Sequence, residues 1–158
     1  MNFKTLAMVW LIGIGVVCGR DVSIEDAFAI SLPDSAKQKI RIPKSDNLPD
    51  TVLDKYSGNS FQLQMYRWQN ISTSVPLDQI PQRWIKDKKW ASVSEISVGE
   101  TDSGISYVTF NAQIDRDNRP PSKSIMTVLR SSKGIAYMFQ MNGDPGTIAT
   151  IRKSIRFE

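Results

Sequence analysis

Two segments of this chain alternate apolar and polar residues, and this alternation constrains the fold more than any other feature. Phe61-Gln-Leu-Gln-Met65 alternates and continues through Tyr66-Arg-Trp68. In Ile105–Ile114, the even-numbered positions carry Ser, Val, Phe, Ala and Ile, and the odd-numbered positions between them carry Tyr, Thr, Asn and Gln. Successive side chains of a strand point to opposite faces, so a period of two predicts β-strands.

Shorter apolar runs bounded by turn residues predict further strands. Phe28–Leu32 ends at Pro33, and Ser92–Val98 precedes the second alternating segment. A hairpin is predicted from Ser124–Arg130 and Ile135–Met141, with Gly134 supplying the unusual turn dihedral angle.

Two amphipathic helices are predicted between and after these strands. The first spans Gln79–Lys89 with Asp78 as N-cap, because Pro81 is tolerated only in a first turn. The second is opened by Asp144-Pro145 and runs through about Ser154, with isoleucines at helical spacing.

Two polar segments are predicted to be irregular. Residues 34–58 contain Pro43 and Pro49, with a short strand at Lys39–Ile42, and Asp115–Lys123 forms a proline-bearing loop that interrupts pairing. The order of elements predicts an α+β fold: a twisted antiparallel β-sheet flanked by two main helices.

The N-terminal residues are typical of a secretory signal peptide. Lys4 is followed by twelve uncharged residues, Leu6–Val17, a run too short to span a hydrocarbon core about 30 Å thick. Small residues near Gly19 place cleavage between Gly19 and Arg20. The chain is therefore predicted to divide into a signal peptide at 1–19 and one exported α+β domain at 20–158.

Cys18 leaves a second kind of processing open, in which a bacterial lipoprotein carries lipid on this cysteine. Val17 is a poor match to the small residue that such signals place before the cysteine. Lipidation would anchor the domain to a membrane, whereas cleavage after Gly19 would release it to the periplasm or the outside. A retained N-terminal anchor is the third alternative.

The composition excludes several classes of chemistry. The chain has no histidine, and its single cysteine, Cys18, lies in the predicted signal. Histidine-dependent nucleophile systems, zinc sites and thiol redox chemistry are therefore not expected, nor is a disulfide scaffold. Basic and acidic residues are interspersed, so no nucleic-acid partner is expected. We predict no metal and no cofactor.

The remaining catalytic options are a serine–lysine dyad and a pair of carboxylates. Ser122-Lys123 and Ser132-Lys133 are adjacent residues, a poor geometry for proton transfer, and favour solvated turns. Two carboxyl groups about 5–10 Å apart would suit a glycosidase, and surface solubility is the competing explanation for the same residues. The candidates are Glu95, Glu100, Asp102, Asp115 and Asp117.

Aromatic and arginine side chains provide a candidate ligand or partner surface: Trp68, Trp90, Arg116 and Arg119. The competing interpretation places Trp84 between helix and sheet and Trp68 in the core or at its edge.

Three pieces of the sequence resemble the PsbP-like fold, which is shared by PsbP, the nuclear-transport factor Mog and periplasmic proteins of the DcrB type. They are the strand ending at Leu32-Pro33, Phe61–Trp68 before a helix, and Ile135–Met141 leading into Asp144-Pro145 and Ile148–Ile155. The resemblance covers about residues 26–157. It implies a binding, assembly or adaptor protein without catalytic machinery, and no site motif is matched that would assign a functional residue.

The sequence therefore favours an exported, non-enzymatic binding or accessory protein that acts through a protein partner or an envelope component. Two alternatives stay open: an immunity or inhibitor protein against a secreted toxin or enzyme, and a carboxylate-based cell-wall hydrolase.

Overall fold

The computed structural model describes residues 19–41, 50–68, 71–86, 88, 91–116 and 119–158. Cys18, Trp90 and Asp117 lie outside these residues. A 3-10 turn at Leu77–Gln79 directly precedes the first helix. The strands and helices are β1 Gly19–Ile24, β2 Phe28–Pro33, β3 Lys37–Arg41, β4 Asp50–Ser57, β5 Phe61–Trp68, α1 Ile80–Ile85, β6 Ala91–Glu100, β7 Ser106–Arg116, β8 Arg119–Arg130, β9 Ala136–Gly143, α2 Pro145–Lys153 and β10 Arg156–Phe157.

The strands of the described residues form two antiparallel sheets. Seven strands pair in the order β3-β4-β5-β9-β8-β7-β6, and three pair in the order β1-β2-β10. The small sheet was not predicted from the sequence. It brings the first and last described strands together on either side of β2, where Arg156 pairs with Ala29.

The first hydrophobic core lies between one face of the large sheet, the small sheet and α2. Phe28 contacts Tyr137 edge-on at a ring-centroid distance of 5.2 Å and stacks on Phe157 at 5.5 Å. Along β5, the alternating residues Phe61, Leu63 and Met65 all face this core. Burial of these apolar side chains is what joins the two sheets.

The second core lies on the opposite face of the large sheet, beneath α1. Val108, Phe110 and Ala112 of β7 face it, as the alternation in the sequence predicts. Trp84 of α1 is 6% exposed and packs against Phe110 at a ring-centroid distance of 5.9 Å. Ile80 of α1 is fully buried in the same core, so Ile80 and Trp84 together anchor the helix to the sheet.

The C-terminal helix begins as predicted. The Asp144 carboxylate accepts a hydrogen bond from the Thr147 backbone N–H at 2.7 Å, and Pro145 takes the first helical position, where its missing N–H is not needed. No helix among the described residues is long and apolar enough to cross a membrane.

Three expectations from the sequence are corrected. The short strand predicted at Lys39–Ile42 overlaps β3, but the rest of the segment 34–58, predicted to be irregular, contains the strand β4. In β4, a bulge at Leu53 places Leu53 and Tyr56 in the same core although they are three residues apart. The sequence of this strand therefore does not show the alternation of apolar and polar residues that predicts a strand.

The polar loop predicted at Asp115–Lys123 is instead a continuation of the β7–β8 pair. Arg116 pairs with Arg119, and Ile114 pairs with Ser122. Pro120 and Pro121 fall in the bulge between these pairs, where neither needs to donate to the ladder.

The first helix is shorter than predicted and has a different N-cap. It spans Ile80–Ile85 instead of Gln79–Lys89, and Gln79 rather than Asp78 occupies the cap position. Asp78 lies in the preceding 3-10 turn, so Pro81 still falls in the first turn of the helix.

The outer strand β6 is irregular and exposed. Glu95 has a φ of 52° in a bulge between Ser94 and Ser97, and Ile96 and Val98 are 40% and 60% exposed. In the described residues β6 pairs on one side only, with β7. The predicted class, α+β with an antiparallel sheet and two helices, is confirmed, although sheets dominate.

Candidate ligand-binding cavity

The turn that joins β1 to β2 is strained at two consecutive residues. Ala27 N–H donates to the Ile24 carbonyl at 2.9 Å, and Glu25 and Asp26 between them have φ values of 52° and 54°. A type I′ turn requires positive φ at both central positions and normally uses Asn or Gly there. Each such residue costs of order 1–3 kcal/mol, so surrounding contacts must hold the turn in place.

Those contacts are made by the Glu25 carboxylate, which is buried. Arg67 Nη1 lies 2.7 Å from Glu25 Oε1, and the Tyr137 hydroxyl donates to Glu25 Oε2 at 3.1 Å. The side chains of Glu25 and Arg67 are each 9% exposed. Arg67 and Tyr137 pair directly across β5 and β9, so their side chains emerge beside each other on one face.

Burial and the neighbouring carboxylate keep Tyr137 protonated. Desolvation is the main cause, followed by the negative charge of Glu25, and together they raise the pKa of Tyr137 to about 12. At neutral pH the phenol is therefore a hydrogen-bond donor to Glu25. The ion pair and this donor occupy both oxygens of the carboxylate.

One wall of a cavity of about 240 Å³ is formed by Glu25, Arg67 and Tyr137. Asp26, Ser132 and Lys133 are exposed at its rim. The described residues that line it are Glu25, Asp26, Ala27, Arg67, Ser131, Ser132, Lys133, Ile135 and Tyr137. Small-molecule sites usually measure about 300–1,000 Å³, so this cavity suits one side chain or a very small ligand.

The opposite wall is the β8–β9 turn, whose geometry is fixed by its own hydrogen bonds. Ser131 N–H donates to Ile135 O at 2.9 Å and Gly134 N–H to Ser131 O at 2.8 Å, with Gly134 at a φ of 78°. A Cβ at Gly134 would lie 2.5 Å from Cγ2 of Thr73, so only glycine fits.

The β6–β7 turn repeats this hydrogen-bond pattern. Thr101 N–H donates to Ile105 O at 3.0 Å and Gly104 N–H to Thr101 O at 2.9 Å, and Gly104 has a φ of 74°. Ser103 therefore occupies the position that Lys133 has in the cavity turn, but it does not line the cavity.

The residues of the candidate surface do not converge on one site. Trp68 is half-buried and packs against the second core, whereas Arg116 and Arg119 pair at the other end of the large sheet. Trp90 and Cys18 lie outside the described residues. Gly19 and Arg20 are the exposed first residues of β1.

The carboxylates proposed for a hydrolase lie on the surface where the structure describes them. Glu95, Glu100, Asp102 and Asp115 are all exposed, and Asp117 lies outside the described residues. Asp102 precedes β7 and Asp115 nearly ends it, which separates them by roughly 30 Å at 3.3 Å per residue. Within the described residues no group of three or more His, Cys, Asp and Glu side chains is arranged to hold a metal ion.

The residues that do converge, Glu25, Arg67 and Tyr137, were not singled out from the sequence. One signal existed: Arg67 continues the inward phase of Phe61, Leu63 and Met65. An arginine in a buried phase requires a buried partner. The partner itself could not be read from the sequence, because Glu25 lies 42 positions away, in a turn after a strand that was not predicted.

No protein-family model and no curated protein matches the sequence. Among solved structures, the chain is similar to the solution structure of cyanobacterial PsbP (CyanoP) from Synechocystis sp. PCC 6803. The TM-score is 0.63 at 12% sequence identity, and the match covers 92% of this chain and 96% of that one. At this identity the similarity establishes the fold, and the chain therefore has the PsbP-like fold that its sequence resembles.

Proposed function

We propose that this chain is an exported, non-enzymatic binding protein whose cavity between the β1–β2 and β8–β9 turns receives a side chain of a protein partner. The observation that carries the proposal is the strained turn at Glu25 and Asp26, which a buried ion pair and a buried phenol hold against the sheet. Strain and buried charge are both costly, and they concentrate at functional sites.

The chemistry of the cavity favours recognition over catalysis. The Glu25 carboxylate is engaged at both oxygens, so it is poorly placed to accept a proton from a substrate. The exposed rim offers one carboxylate, Asp26, and one ammonium group, Lys133. This pattern fits a polar or charged side chain entering from a partner's surface.

The position of the second turn supplies a matched test. Lys133→Trp would fill the mouth of the cavity, and Ser103→Trp would place the same bulk at the equivalent position of the equivalent turn. Tagged mature proteins are used to capture proteins from the envelope fraction, with a photo-crosslinker at Asp26 and mass spectrometry of the products. We expect a specific crosslinked product with the wild type and Ser103→Trp that is lost with Lys133→Trp. Equal products from all three proteins would contradict the role of the cavity.

Export belongs to the same proposal and rests on the N-terminal sequence. Cleavage between Gly19 and Arg20 would leave Arg20 as the first residue, whereas lipidation would leave a modified Cys18. Intact-mass measurement of the protein purified from the envelope and soluble fractions distinguishes these outcomes. A Cys18→Ser variant controls for lipidation, because it removes the lipid from a lipidated protein and leaves the mass and location of a protein cleaved after Gly19 unchanged.

A further inference from the structure

Half of one face of the large sheet carries polar side chains, and no helix of the described residues covers it. The second core beneath α1 occupies the β6–β8 side of this face. Across β4, β5 and β9 the cross-strand neighbours are instead polar. Lys55, Gln64 and Gln140 form one row, and Ser57, Gln62 and Asn142 form the next. These polar side chains do not pack in a hydrophobic core, so this part of the face can contact a ligand.

These rows form the floor of a cleft of about 480 Å³, within the usual size of a small-molecule site. Among the described residues, its lining includes two lysines and no acidic residue: Lys39, Lys55, Tyr56, Ser57, Gly58, Gln62, Leu63, Gln64, Gln140 and Asn142. The cleft lies on a different part of the molecule from the cavity at Glu25, because the two share no lining residue.

Two of the amides are fixed by the protein. Gln140 accepts from the Tyr66 hydroxyl at 3.0 Å and donates to Ser124 Oγ at 2.9 Å. With its amide oriented to satisfy both ends, Asn142 donates to Lys123 O at 2.7 Å and to Ser124 Oγ at 2.9 Å. This side of the floor is therefore preorganised.

The other two amides remain open to a ligand. Among the described residues, the side chains of Gln62 and Gln64 make no hydrogen bond with the protein. Each amide offers both a donor and an acceptor. A sugar hydroxyl also offers both, so a row of such amides matches a hydroxyl-rich ligand.

The charge of the cleft comes from Lys39 and Lys55. Lys39 is the extra residue of a bulge in β3, next to the pair of Ile40 with Lys55. Bulges redirect side chains, and this one brings a second ammonium group to the cleft. The acidic residue of the same strand pair, Asp54, is held by Gln38 at 2.7 Å and does not line the cleft.

We propose that this cleft binds a carboxylate-bearing glycan. The lysines would pair with the carboxylates, and the open amides of Gln62 and Gln64 would bond to the hydroxyls. A nucleic acid fits less well, because the lining residues that the structure describes include no arginine and one aromatic residue, Tyr56, which is 4% exposed and packed in the first core. This site goes beyond the proposed function, since it uses none of the residues of the cavity.

The test measures binding of an oligogalacturonate by isothermal titration calorimetry. The variants are Lys39→Gln/Lys55→Gln, which removes both charges, and Gln62→Ala/Gln64→Ala, which removes both open amides. Lys86→Gln/Lys153→Gln removes the same charge from exposed sites outside the cleft. Thermal unfolding checks that each variant is folded.

We expect the affinity to fall at least about tenfold in both cleft variants and to change less than about twofold in the control. A neutral glycan of the same length should bind at least about tenfold more weakly than the oligogalacturonate. Absence of oligogalacturonate binding would overturn the proposal, as would equal losses in the cleft and control variants. Equal binding of polyglutamate, with the same dependence on the lysines and amides, would replace the glycan by an acidic peptide.

Discussion

Glu25 and Arg67 carry two opposite charges into the interior, and each charge depends on the other. Their side chains are 9% exposed and 2.7 Å apart. Water therefore screens the pair much less than it screens a surface ion pair. Removal of Arg67 leaves the Glu25 carboxylate buried without its cation.

We expect Arg67→Met to lower the free energy of unfolding by about 3–5 kcal/mol, because the Glu25 carboxylate would be left buried without its cation. The Glu25→Gln/Arg67→Met double variant should recover part of this loss, since no buried charge then remains. Urea denaturation at neutral pH measures both values. Losses that simply add in the double variant would show that the two residues are not coupled.

The Tyr137 phenol makes the free energy of unfolding depend on pH between about pH 10 and pH 12. Its pKa is raised from 10.0 to about 12 in the folded protein. The unfolded chain therefore loses this proton first, so the contribution of Tyr137 is complete below pH 10 and is lost as the pH rises toward 12. The loss should amount to about 2–3 kcal/mol.

Tyr137→Phe should remove this part of the alkaline destabilisation. Denaturation curves across the same pH range, compared between wild type and variant, measure the difference. In a spectrophotometric titration of the folded protein, the variant should also lack one tyrosine with a raised pKa that the wild type shows. A Tyr137 that titrates at its ordinary value would contradict the buried donor to Glu25.

At the scale of elements, α1 is held to the large sheet by Ile80 and Trp84, which are both buried in the second core. Trp84→Ala should lower the free energy of unfolding by about 3–5 kcal/mol, because it removes most of the contact with Phe110. Trp84→Phe should cost less, since it keeps a ring in the same core. Denaturant titration followed by circular dichroism compares the two. Equal effects of both substitutions would show that packing of the larger ring does not matter.

The second helix depends on its N-cap, and this dependence has a pH signature. Hydrogen bonds from the backbone and side chain of Thr147 hold the pKa of Asp144 below its usual 3.8. Its stabilising effect is therefore present above pH 3.8 and is lost as the pH falls below that value. Asp144→Ala should lower the Tm at neutral pH and make it less sensitive to acid, whereas Asp144→Asn should keep part of the cap.

The unbroken period of β7 was predictable from the sequence, whereas bulges obscured β4 and the start of β8. β7 keeps strict alternation from Val108 to Ile114, and both of its faces were assigned as the structure has them. In β4 the bulge at Leu53 shifts the phase, so no single period describes the strand. Pro120 and Pro121 suggested a loop, because proline cannot donate a hydrogen bond to a neighbouring strand. The strand β8 accommodates both prolines because they lie in a bulge, where those hydrogen bonds are not made.

The site was less predictable than the fold, because its residues come from three separate parts of the chain. Glu25, Arg67 and Tyr137 meet only after the small sheet has packed on the large one. Long-range packing of this kind leaves no periodic signal in the sequence. The position of Arg67 among the buried residues of β5 indicates that the arginine has a buried partner, but it does not identify that partner.

At the scale of the whole molecule, the small sheet and the large sheet are joined through Phe28. This side chain is fully buried and contacts both Tyr137 and Phe157. Phe28→Ala should lower the free energy of unfolding by about 3–5 kcal/mol. Amide hydrogen exchange should then accelerate in β1, β2 and β10 before it does in β5 and β9. Uniform acceleration in all five strands would show that the two sheets open as one unit.

The bulge at Glu95 has a consequence for the protein in concentrated solution. An outer strand of ten residues with exposed Ile96 and Val98 could act as a template on which further chains are laid down as fibrils. Such growth needs a straight, regularly spaced row of hydrogen-bonding groups. The left-handed glutamate interrupts that row in mid-strand and adds a negative charge there. The irregularity of β6 therefore protects the protein from self-seeding while leaving the fold intact.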